Sequence, residues 1–484
     1  MIEFSRRGRQ RLITRRSFLR HTAASLVIGS STSLTRSRAY GSSQLQNLPP
    51  LEGELLVDDI ARQSVAVDWG FHVRRLPVAV LRPKSVDDVA RMIAYANTHN
   101  KKIGMRGQGH SAYGQAQIEN GIVIDSSTLN EVVPRDSNTL DAQPGALWGE
   151  VAKVAAMQKL TPPVMVDAMM LSVGGTLSVG GTGETTYRFG AQVDNVVELD
   201  VITGAGELLT CSPERNNELF HMTLAGLGQC GIIARARLRL APSPQQVAVR
   251  TLMYDDMDNF LSDQARLTTV EGLGPLNGRI TRGSDGRTQF VLTAGSFLSS
   301  ADESNRPPSW MTGLRHKSEG PSSVSSYWDY LNRRAASISA AKASKVPNPA
   351  LVATVPDSSV RSFLTFMISS REAYNGIIFF EVSPKVTAHF TCPLLKMPAS
   401  NLCYELRMQR RASNVPDHEA MLAANDALLP RLRAAGGKIY PPFAPVLSRD
   451  AWEDHYGPET WKRFVHAKEQ FDPNNVLTPG PGIF

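Results

Sequence analysis

A glycine-rich stretch with a histidine at its centre is the part of this sequence best suited to binding a charged ligand. It runs from Arg106 to Gln115 and reads RGQGHSAYGQ. Glycines this close together let backbone N–H groups converge on a diphosphate, because no side chains stand in the way. The glycines fall at positions 107, 109 and 114, which is not the spacing of a Rossmann dinucleotide loop. A tight turn without a ligand is the alternative that these residues alone leave open.

Asp167 is the second candidate for chemistry. A carboxylate within hydrogen-bond reach of a substrate can accept the proton that is released when a C–N or C–O bond is oxidised. Asp167 lies shortly after Pro162 and Pro163, and an aspartate in that setting can equally cap a loop. Taken by itself, this position favours the structural role.

The elements ahead of the glycine-rich stretch are expected to hold it at the end of a strand. Val78–Leu81 predicts a buried strand, and Ser85 with Asp88 three residues later predicts the start of a helix that ends near Asn100. Ile103–Met105 then predicts a second strand that leads into the glycines. A strand, helix, strand, loop unit therefore presents the candidate ligand site.

Antiparallel strands are predicted further along the chain. Val197–Thr203 and Glu207–Cys211 flank a short turn with two glycines, which is a hairpin pattern. Between Ala234 and Leu240 apolar residues alternate with arginines, as is typical of a strand with one solvated face. Residues 55–242 are therefore predicted to be α+β.

The basic character of the chain is confined to its N-terminus. The formal net charge is +7 and the pI is near 9.2, but the first 41 residues hold nine arginines and a single acid. The remaining residues balance to about −1. No broad cationic surface, and hence no nucleic-acid partner, is expected.

Residues 1–41 are predicted to be a twin-arginine export signal. Thr14–Arg20 carries the arginine pair, Thr22–Leu34 is mildly apolar, and Ser37–Ala39 offers small residues for cleavage. The apolar stretch is too short and too polar to span a bilayer stably, and residues 42–54 are predicted to be a linker. The signal predicts a periplasmic or secreted protein, and a disordered basic N-terminus is the alternative.

The cysteines do not predict a metal site. The sequence has four, at positions 211, 230, 392 and 403, without C-x-x-C or histidine-interleaved spacing. Buried free thiols are the expected state, and a disulfide is the alternative that an oxidising destination would permit.

The stretch from Arg106 to Ala116 resembles the flavin-attachment loop of cytokinin dehydrogenases, in the vanillyl-alcohol oxidase superfamily of FAD enzymes. Further stretches agree with that family in the same order, at residues 76–85, 167–178, 224–236 and 471–484. The resemblance implies an α+β fold in which residues 55–242 and 431–484 form a two-part FAD-binding domain. Residues 243–430 would form an inserted α+β cap or substrate domain.

The resemblance also assigns roles to individual residues. It implies a covalent bond between His110 and the 8α-methyl group of FAD, as the only such bond, because no cysteine lies near Asp167. Asp167 takes the place of the family's catalytic aspartate, which also contacts the cofactor. The other residues at cofactor-contacting positions are Gly107, Gln108, Gly109, Ser111, Gln115, Ser172, Gly174, Thr176, Ser178, Thr182, Ile233, Tyr440 and Thr478.

The substrate side of the resemblance is weaker. The family carries a Trp and an Asn in a His-Pro-Trp-Leu-Asn run, and this chain has Ala350 and Val352 at those places. Asn277 falls where the family has a glutamate that assists proton transfer. These changes to the predicted substrate pocket alter its volume and polarity, which set substrate choice. The resemblance therefore implies retained chemistry with altered specificity.

The function that the resemblance implies is FAD-dependent oxidation of a small amine, with hydride transfer to flavin N5 and Asp167 as base. An alcohol or a sugar is the alternative substrate, because either needs only the flavin and a base. A flavin-binding protein without turnover and a periplasmic solute-binding protein are alternatives from other classes. The electron acceptor stays open among oxygen, a quinone and a protein, and neither a metal nor a membrane span is expected.

Overall fold

The computed structural model describes residues 45–282, 286–299 and 308–484. The predicted export signal, residues 1–41, and the first residues of the predicted linker lie outside the described residues.

The first part of the fold, up to residue 242, combines short strands and helices. Its strands are β1 Glu54–Leu56, β2 Ala79–Arg82, β3 Ile103–Arg106, β4 Ile122–Asp125, β5 Val132–Pro134, β6 Thr139–Ala142, β7 Leu160–Thr161, β8 Val196–Thr203, β9 Leu208–Cys211, β10 Gly231–Arg239 and β11 Ala241–Pro242. Its helices are α1 Asp59–Ser64, α2 Val86–Thr98, α3 Trp148–Ala156, α4 Val173–Leu177, α5 Thr186–Phe189 and α6 Asn217–Thr223.

The first sheet carries the glycine-rich stretch. Its strand order is β1-β2-β4-β3, in which β2 and β3 both run parallel to β4. Helix α2 connects β2 to β3, starts where the sequence predicted, and has the Ser85 hydroxyl accepting a hydrogen bond from the Asp88 amide at its N-cap. Val89, Met92 and Ile93 of α2 are fully buried against this sheet. Strand β3 ends at Arg106, so the glycines follow at its carboxyl end.

The second sheet is antiparallel and confirms the predicted hairpin. Its order is β5-β6-β10-β8-β9, and β8 pairs with β9 across the turn at residues 204–206. Strand β10 alternates as predicted, because Arg235 and Arg237 face partly solvated carboxylates of neighbouring strands. Ala234, Ala236 and Leu238 are buried on the opposite face.

The second part of the fold is built on one large antiparallel sheet. Its strands are β12 Gln246–Tyr254, β13 Leu273–Arg282, β14 Thr288–Leu298, β15 Ser318–Glu319, β16 Ser323–Ser326, β17 Leu351–Pro356, β18 Ile377–Val386, β19 Leu402–Arg410 and β20 Lys438–Ile439. The order is β15-β12-β14-β13-β18-β19-β17-β20, and β16 also pairs with β12. The helices are α7 Met257–Leu267, α8 Tyr327–Asn332, α9 Ala335–Ser344, α10 Asp357–Ser369, α11 Val415–Ala434, α12 Arg449–Tyr456 and α13 Pro458–Phe471.

The end of the large sheet differs from the boundary predicted at residue 430. That boundary falls inside α11, at Pro430, and the following strand β20 still pairs with β17. The sheet therefore extends to Ile439.

The C-terminal residues return to the first sheet. Ile103 of β3 donates its amide proton to Val476 and accepts one from Thr478, at N···O distances of 2.9 and 2.7 Å. Residues before and after the large sheet in the chain thus meet at β3, where Ile103 and Leu477 form a parallel bridge. The described residues combine helices with strands that are mostly antiparallel, so the fold is of the predicted α+β class.

Three sequence expectations concern features of the described residues as a whole. All four cysteines are buried and free. Within residues 45–282, 286–299 and 308–484, no helix has the length and apolar character that crossing a bilayer would need. In the same ranges no group of three metal-ligating side chains could hold an ion.

Candidate active site

A cavity of about 810 Å³ lies between the glycine-rich stretch, the segment around Asp167 and the large sheet. Its volume is in the range of sites that bind cofactors and substrates. It collects every residue that the sequence assigned to the cofactor. These are Gly107, Gln108, Gly109, His110, Ser111, Gln115, Asp167, Ser172, Gly174, Thr176, Ser178, Thr182, Ile233, Tyr440 and Thr478.

The glycine-rich loop uses its glycines for backbone conformation. Gly109 and Gly114 have φ angles of +62° and +79°, a left-handed conformation that disfavours other residues. A Cβ on Gly109 would also lie 2.2 Å from the guanidinium of Arg106. Arg106 in turn donates to the Val67 carbonyl at 2.8 Å, so its side chain packs under the loop.

His110 projects into the cavity between two aromatic rings. Its imidazole centroid lies 4.4 Å from that of Trp69, and Phe443 meets it edge-on at 5.9 Å. Desolvation lowers the pKa of His110 to about 3, and the positive charges of Arg407 and Lys342 add to this shift. The imidazole is therefore neutral at physiological pH, with a nitrogen lone pair available for bonding.

The residues around Ser172 fit the diphosphate of FAD. The Ser172 hydroxyl is buried and has no hydrogen-bond partner among the described residues. A Cβ on Gly107 would lie 2.0 Å from Ser172 Oγ, so only a glycine at position 107 leaves this hydroxyl open to the cavity. A Cβ on Gly175 would lie 2.9 Å from the same oxygen. A buried, unpartnered hydroxyl in a cradle of glycines suits a phosphate oxygen, because a buried polar group without a partner is otherwise unfavourable.

Two of the predicted cofactor contacts have side chains engaged elsewhere. The Thr176 hydroxyl accepts a hydrogen bond from the Trp148 indole at 2.8 Å. The Ser178 hydroxyl donates to the Gly174 carbonyl at 2.7 Å. Both residues line the cavity, but these bonds hold α4 and its C-terminal turn in shape.

The C-terminal part of the chain closes one side of the cavity. The Gln115 amide donates to the Pro441 carbonyl at 2.8 Å, and the Tyr440 hydroxyl accepts from the Gly181 amide at 3.2 Å. Thr478 adopts a φ of +44° where the chain bonds to β3. Gln115 therefore ties the glycine-rich loop to the segment that carries Tyr440.

Asp167 belongs to a chain of ion pairs. Arg334 Nη1 lies 2.7 Å from Asp167 Oδ2 and 3.4 Å from Glu381 Oε1. Glu381 and Arg407 are direct partners in the register of β18 and β19, and their side chains are 3.2 Å apart. Arg407 also pairs with Glu405 at 3.3 Å. The Asp167 carboxylate is thus connected to the middle of the large sheet.

The two carboxylates of this chain have opposite pKa shifts. Burial would raise the pKa of Asp167, but the positive charges of Arg334, Arg333, Arg407 and Lys385 outweigh it and lower the pKa. For Glu381 burial prevails, and the negative charge of Asp167 adds to it, so the pKa of Glu381 is raised. The lowered pKa of Asp167 favours its ionised carboxylate, which is the state that a base needs.

Arg334 immediately precedes α9, a helix that borders the cavity. Ser337, Ile338 and Ala341 follow Arg334 at helical spacing and line the cavity with it. No side chain of α9 is buried. The helix therefore has little packing of its own, and its ion pair with Asp167 is its main polar attachment at the N-terminal end.

The predicted substrate-pocket residues do not line the cavity. Ala350 and Val352 are fully buried at the start of β17, where they pack within the hydrophobic core. Val352 acts through its carbonyl, which accepts from the Tyr440 amide at 2.8 Å. Asn277 lies behind the site and donates to Glu381 at 3.0 Å. Within the run 348–352, the residue that lines the cavity is Asn348.

Sequence reasoning missed the charged residues that accompany Asp167, namely Arg334, Glu381 and Arg407. A signal exists in β18 and β19, where polar and charged residues recur at alternate positions. Alternation identifies one face of a strand, but it does not tell which face borders a cavity. Asn277, where the resemblance places a glutamate, donates a hydrogen bond to Glu381 of the neighbouring strand β18.

Two parts of the chain match described protein families. The family described as FAD binding domain matches residues 77–212. The family described as "Cytokinin dehydrogenase 1, FAD and cytokinin binding" matches residues 309–484. These ranges contain the glycine-rich loop and the ion-paired strands of the large sheet, respectively.

Whole-length relatives agree with these matches. Cytokinin dehydrogenase 10 of Oryza sativa subsp. japonica is 32% identical, and the alignment covers 88% of each chain. The chain belongs to the cytokinin dehydrogenase-like family of FAD-dependent oxidoreductases. Another similar protein, "Uncharacterized oxidoreductase ORF5 in fasciation locus" of Rhodococcoides fascians, is 33% identical over 87% of this chain and 97% of its own.

A solved structure agrees with the fold. That of 6-hydroxy-D-nicotine oxidase from Arthrobacter nicotinovorans matches with a TM-score of 0.70, covering 89% of this chain and 98% of its own. At 19% identity this likeness concerns the fold alone. As a cytokinin dehydrogenase-like protein, the chain is an enzyme, an FAD-dependent oxidoreductase that passes electrons from a small-molecule substrate to an acceptor. When bound, FAD supplies the two-electron oxidation.

Proposed function

We propose that this oxidoreductase oxidises a small, neutral amine and that Asp167 is its base. The observation that carries the proposal is the Asp167 carboxylate, which lines the cavity with its pKa lowered by neighbouring arginines. Bound FAD would supply the oxidation by accepting the substrate hydride at N5, and Asp167 would accept the proton that the oxidised nitrogen releases.

A low-pKa carboxylate favours an amine over an alcohol. The nitrogen lone pair of a neutral amine stabilises the cation left by hydride loss, so the N–H becomes acidic and a weak base suffices. An alcohol must lose its much less acidic O–H proton as the C–H bond breaks, which calls for a stronger base. With its pKa lowered, Asp167 suits the first reaction better.

The charges near Asp167 also favour a neutral substrate. Arg333, Arg334 and Arg407 all act on this carboxylate. Arg334 Nη1 lies 2.7 Å from the Asp167 carboxylate, so a protonated amine that approached this carboxylate would be repelled by the guanidinium already paired to it. The amine that binds productively is therefore unprotonated, which is also the form able to lose hydride.

We also propose that His110 holds FAD covalently. Its neutral imidazole lines the cavity between Trp69 and Phe443. The test is the visible spectrum of the purified protein, followed by acid precipitation. We expect the yellow colour to stay with the pellet and to leave it in His110→Ala. Colour in the supernatant of the unaltered protein would overturn the covalent bond, and a colourless protein would point to a solute-binding protein without flavin.

The substrate is tested by anaerobic reduction of the flavin. A panel of secondary amines, including cytokinins because relatives are named for them, is compared with matched alcohols and sugars. We expect rapid bleaching with an amine and a loss of about 10²–10⁴-fold in its rate in Asp167→Asn, the usual worth of a general base. Arg411→Ala serves as the control, since Arg411 lines the cavity without pairing to Asp167.

The outcomes separate the alternatives. Bleaching by alcohols or sugars alone would favour the second substrate class. A flavin that stays oxidised with every compound, in a protein that binds them, would favour a binding protein without turnover. Reoxidation of the bleached enzyme by dissolved oxygen, compared with a soluble quinone, would identify the class of acceptor.

We propose, finally, that the twin-arginine segment directs export to the periplasm or beyond. The proposal rests on the sequence Thr14–Arg20 and the apolar residues after it. Expression in bacteria with and without a functional twin-arginine translocase tests it. We expect periplasmic protein in the first host only, and retention when Arg15 and Arg16 are both changed to lysine. Equal export from both hosts would contradict the proposal.

A further inference from the structure

We propose that Asp68 and Trp69 are positioning residues that hold His110 in the orientation required for its bond to FAD. The inference rests on the covalent attachment proposed above. It goes beyond that proposal because it concerns two residues outside the glycine-rich loop, which form a bracket around it.

Asp68 fixes the loop after His110. Its carboxylate is almost fully buried, at 2% exposure. One oxygen accepts from the Gly70 amide at 3.0 Å. The other accepts from the Gly114 amide at 2.7 Å and from the Ser111 hydroxyl at 3.3 Å. A single side chain thus binds the residue that follows His110 and the left-handed glycine that ends the loop.

Trp69 fixes the loop before His110. Its amide donates to the Gly109 carbonyl at 2.8 Å, and its indole lies against the imidazole with 4.4 Å between ring centroids. Asn348 donates its amide proton to the Gly70 carbonyl at 2.8 Å, which ties the bracket to the segment before β17. His110 is therefore held from both sides along the chain and on one face of its ring.

The approach of the bracket to the loop is close. A Cβ on Gly70 would lie 2.0 Å from the Ala112 carbonyl oxygen. This contact leaves the loop little room to shift relative to residues 68–70. The segment from Gly109 to Gly114 contains neither helix nor strand, so these bonds supply the order that regular structure would otherwise provide.

Order of this kind matters for the reaction that joins His110 to FAD. One C–H bond of the 8α-methyl group is replaced by a bond to an imidazole nitrogen. The proton of that C–H bond leaves to solvent, and the electron pair of the bond reduces the flavin. The enzyme's electron acceptor then takes this electron pair from the flavin. The rate depends on how closely the nitrogen is held to the carbon, because small misplacements lower the rates of positioned reactions steeply.

The bracket also carries a titratable group with a distinctive signature. Burial raises the pKa of Asp68 to about 6, against lowering contributions from Gly114, Gly70, Arg106 and Ser111. The charged and titratable groups that face it are Arg106 from β3 and Tyr113 from the loop. A protonated Asp68 is a weaker acceptor for the two amides and the hydroxyl, so the bracket loosens below about pH 6.

The first experiment measures covalent against total FAD in purified full-length variants. Flavin fluorescence of the denatured protein band gives the covalent fraction, and visible absorbance of the native protein gives the total. We expect Asp68→Asn and Trp69→Phe to retain bound FAD while the covalent fraction falls roughly tenfold or more. His110→Ala sets the baseline without attachment.

Matched controls come from the large-sheet part of the chain. Asp263 is a buried carboxylate that accepts from the Arg315 amide and the Tyr254 hydroxyl, and Trp310 is a buried indole bonded to Ser296. Asp263→Asn and Trp310→Phe are expected to leave the covalent fraction unchanged. A covalent fraction equal to that of the unaltered protein in both bracket variants would overturn the inference. Absence of covalent FAD from the unaltered protein would overturn the attachment itself.

A second experiment uses the unaltered protein in its main arm, so its result does not depend on whether a variant folds. The full chain, produced under flavin limitation, is given FAD, and covalent incorporation is followed from pH 5 to pH 8. We expect incorporation to be about tenfold slower at pH 5 than at pH 7, as one group titrating near pH 6 requires. In Ser111→Ala, which keeps the carboxylate but removes one donor, the midpoint should move upward. A rate that does not change with pH would contradict the role of Asp68.

Discussion

Glu381 and Arg407 face each other across β18 and β19, and Arg334 links this pair to Asp167. The proposed base is thus electrically coupled to a strand pair of the large sheet. Charges placed in that sheet set the proton affinity of Asp167, and changing them one at a time should move its pKa in predictable directions.

Removal of Arg334 should raise the pKa of Asp167. Arg334 is the first of the positive charges that lower this pKa, so Arg334→Ala favours the protonated carboxyl. Because the base works when ionised, activity is lost as the pH falls through its pKa. We expect the acidic limb of kcat/KM to move to higher pH. The pH profile of Arg411→Ala is the control, and an unmoved limb in Arg334→Ala would contradict the coupling.

Neutralising Glu381 should have the opposite effect. Asp167 and Glu381 raise each other's proton affinity when both are charged, and Glu381→Gln removes one member at nearly constant volume. We expect the acidic limb to move to lower pH, with a flavin spectrum unchanged from the unaltered enzyme. A shift in the same direction as in Arg334→Ala would show that packing rather than charge is responsible.

A side chain at Gly109 should disrupt the glycine-rich loop. The left-handed backbone costs a non-glycine residue about 1–2 kcal/mol, and in Gly109→Ala the new Cβ would also meet Arg106. Gly272→Ala is the matched control, with a φ of +75° and no atom within 4 Å of the new Cβ. We expect urea denaturation to show a larger loss of unfolding free energy for Gly109→Ala than for Gly272→Ala, accompanied by loss of FAD. Equal losses of unfolding free energy would mean that backbone strain alone determines the cost at both positions.

Removal of the Ser172 hydroxyl should weaken FAD binding without destabilising the protein that lacks FAD. The hydroxyl is buried without a partner among the described residues, so Ser172→Ala removes an unfavourable group from the unliganded state. If it binds a phosphate oxygen, its loss raises the Kd for FAD by roughly fivefold, equivalent to about 1 kcal/mol. Titration in a His110→Ala background keeps FAD exchangeable. A lower Tm of the FAD-free variant, with unchanged Kd, would contradict this role.

Local parts of the fold could be predicted because their signals lie within a few residues. The cap at Ser85, the α2 stripe and the β8–β9 turn each specify their structure through neighbours in sequence. The cofactor residues followed from ordered motifs, and the cavity brings them together.

The rest of the site depends on contacts between distant segments. Glu381 joins Asp167 only because β18 lies beside β13 and β19, a pairing that the local sequence does not encode. Matching a short run to the family predicts that Ala350 and Val352 line the pocket, but both side chains are buried in the hydrophobic core. Strand pairing and strand facing are decided by the whole sheet.

Helix α9 has no buried side chain, although one of its faces borders the cavity. Segments with few buried contacts unfold locally at low free energy, and ligands that touch them stabilise them by mass action. Lys342 and the left-handed Lys345 offer trypsin exposed cleavage sites there. Protease resistance at these two lysines should therefore rise with FAD and rise again with substrate, so that a digestion pattern reports the occupancy of the enzyme before any turnover is measured.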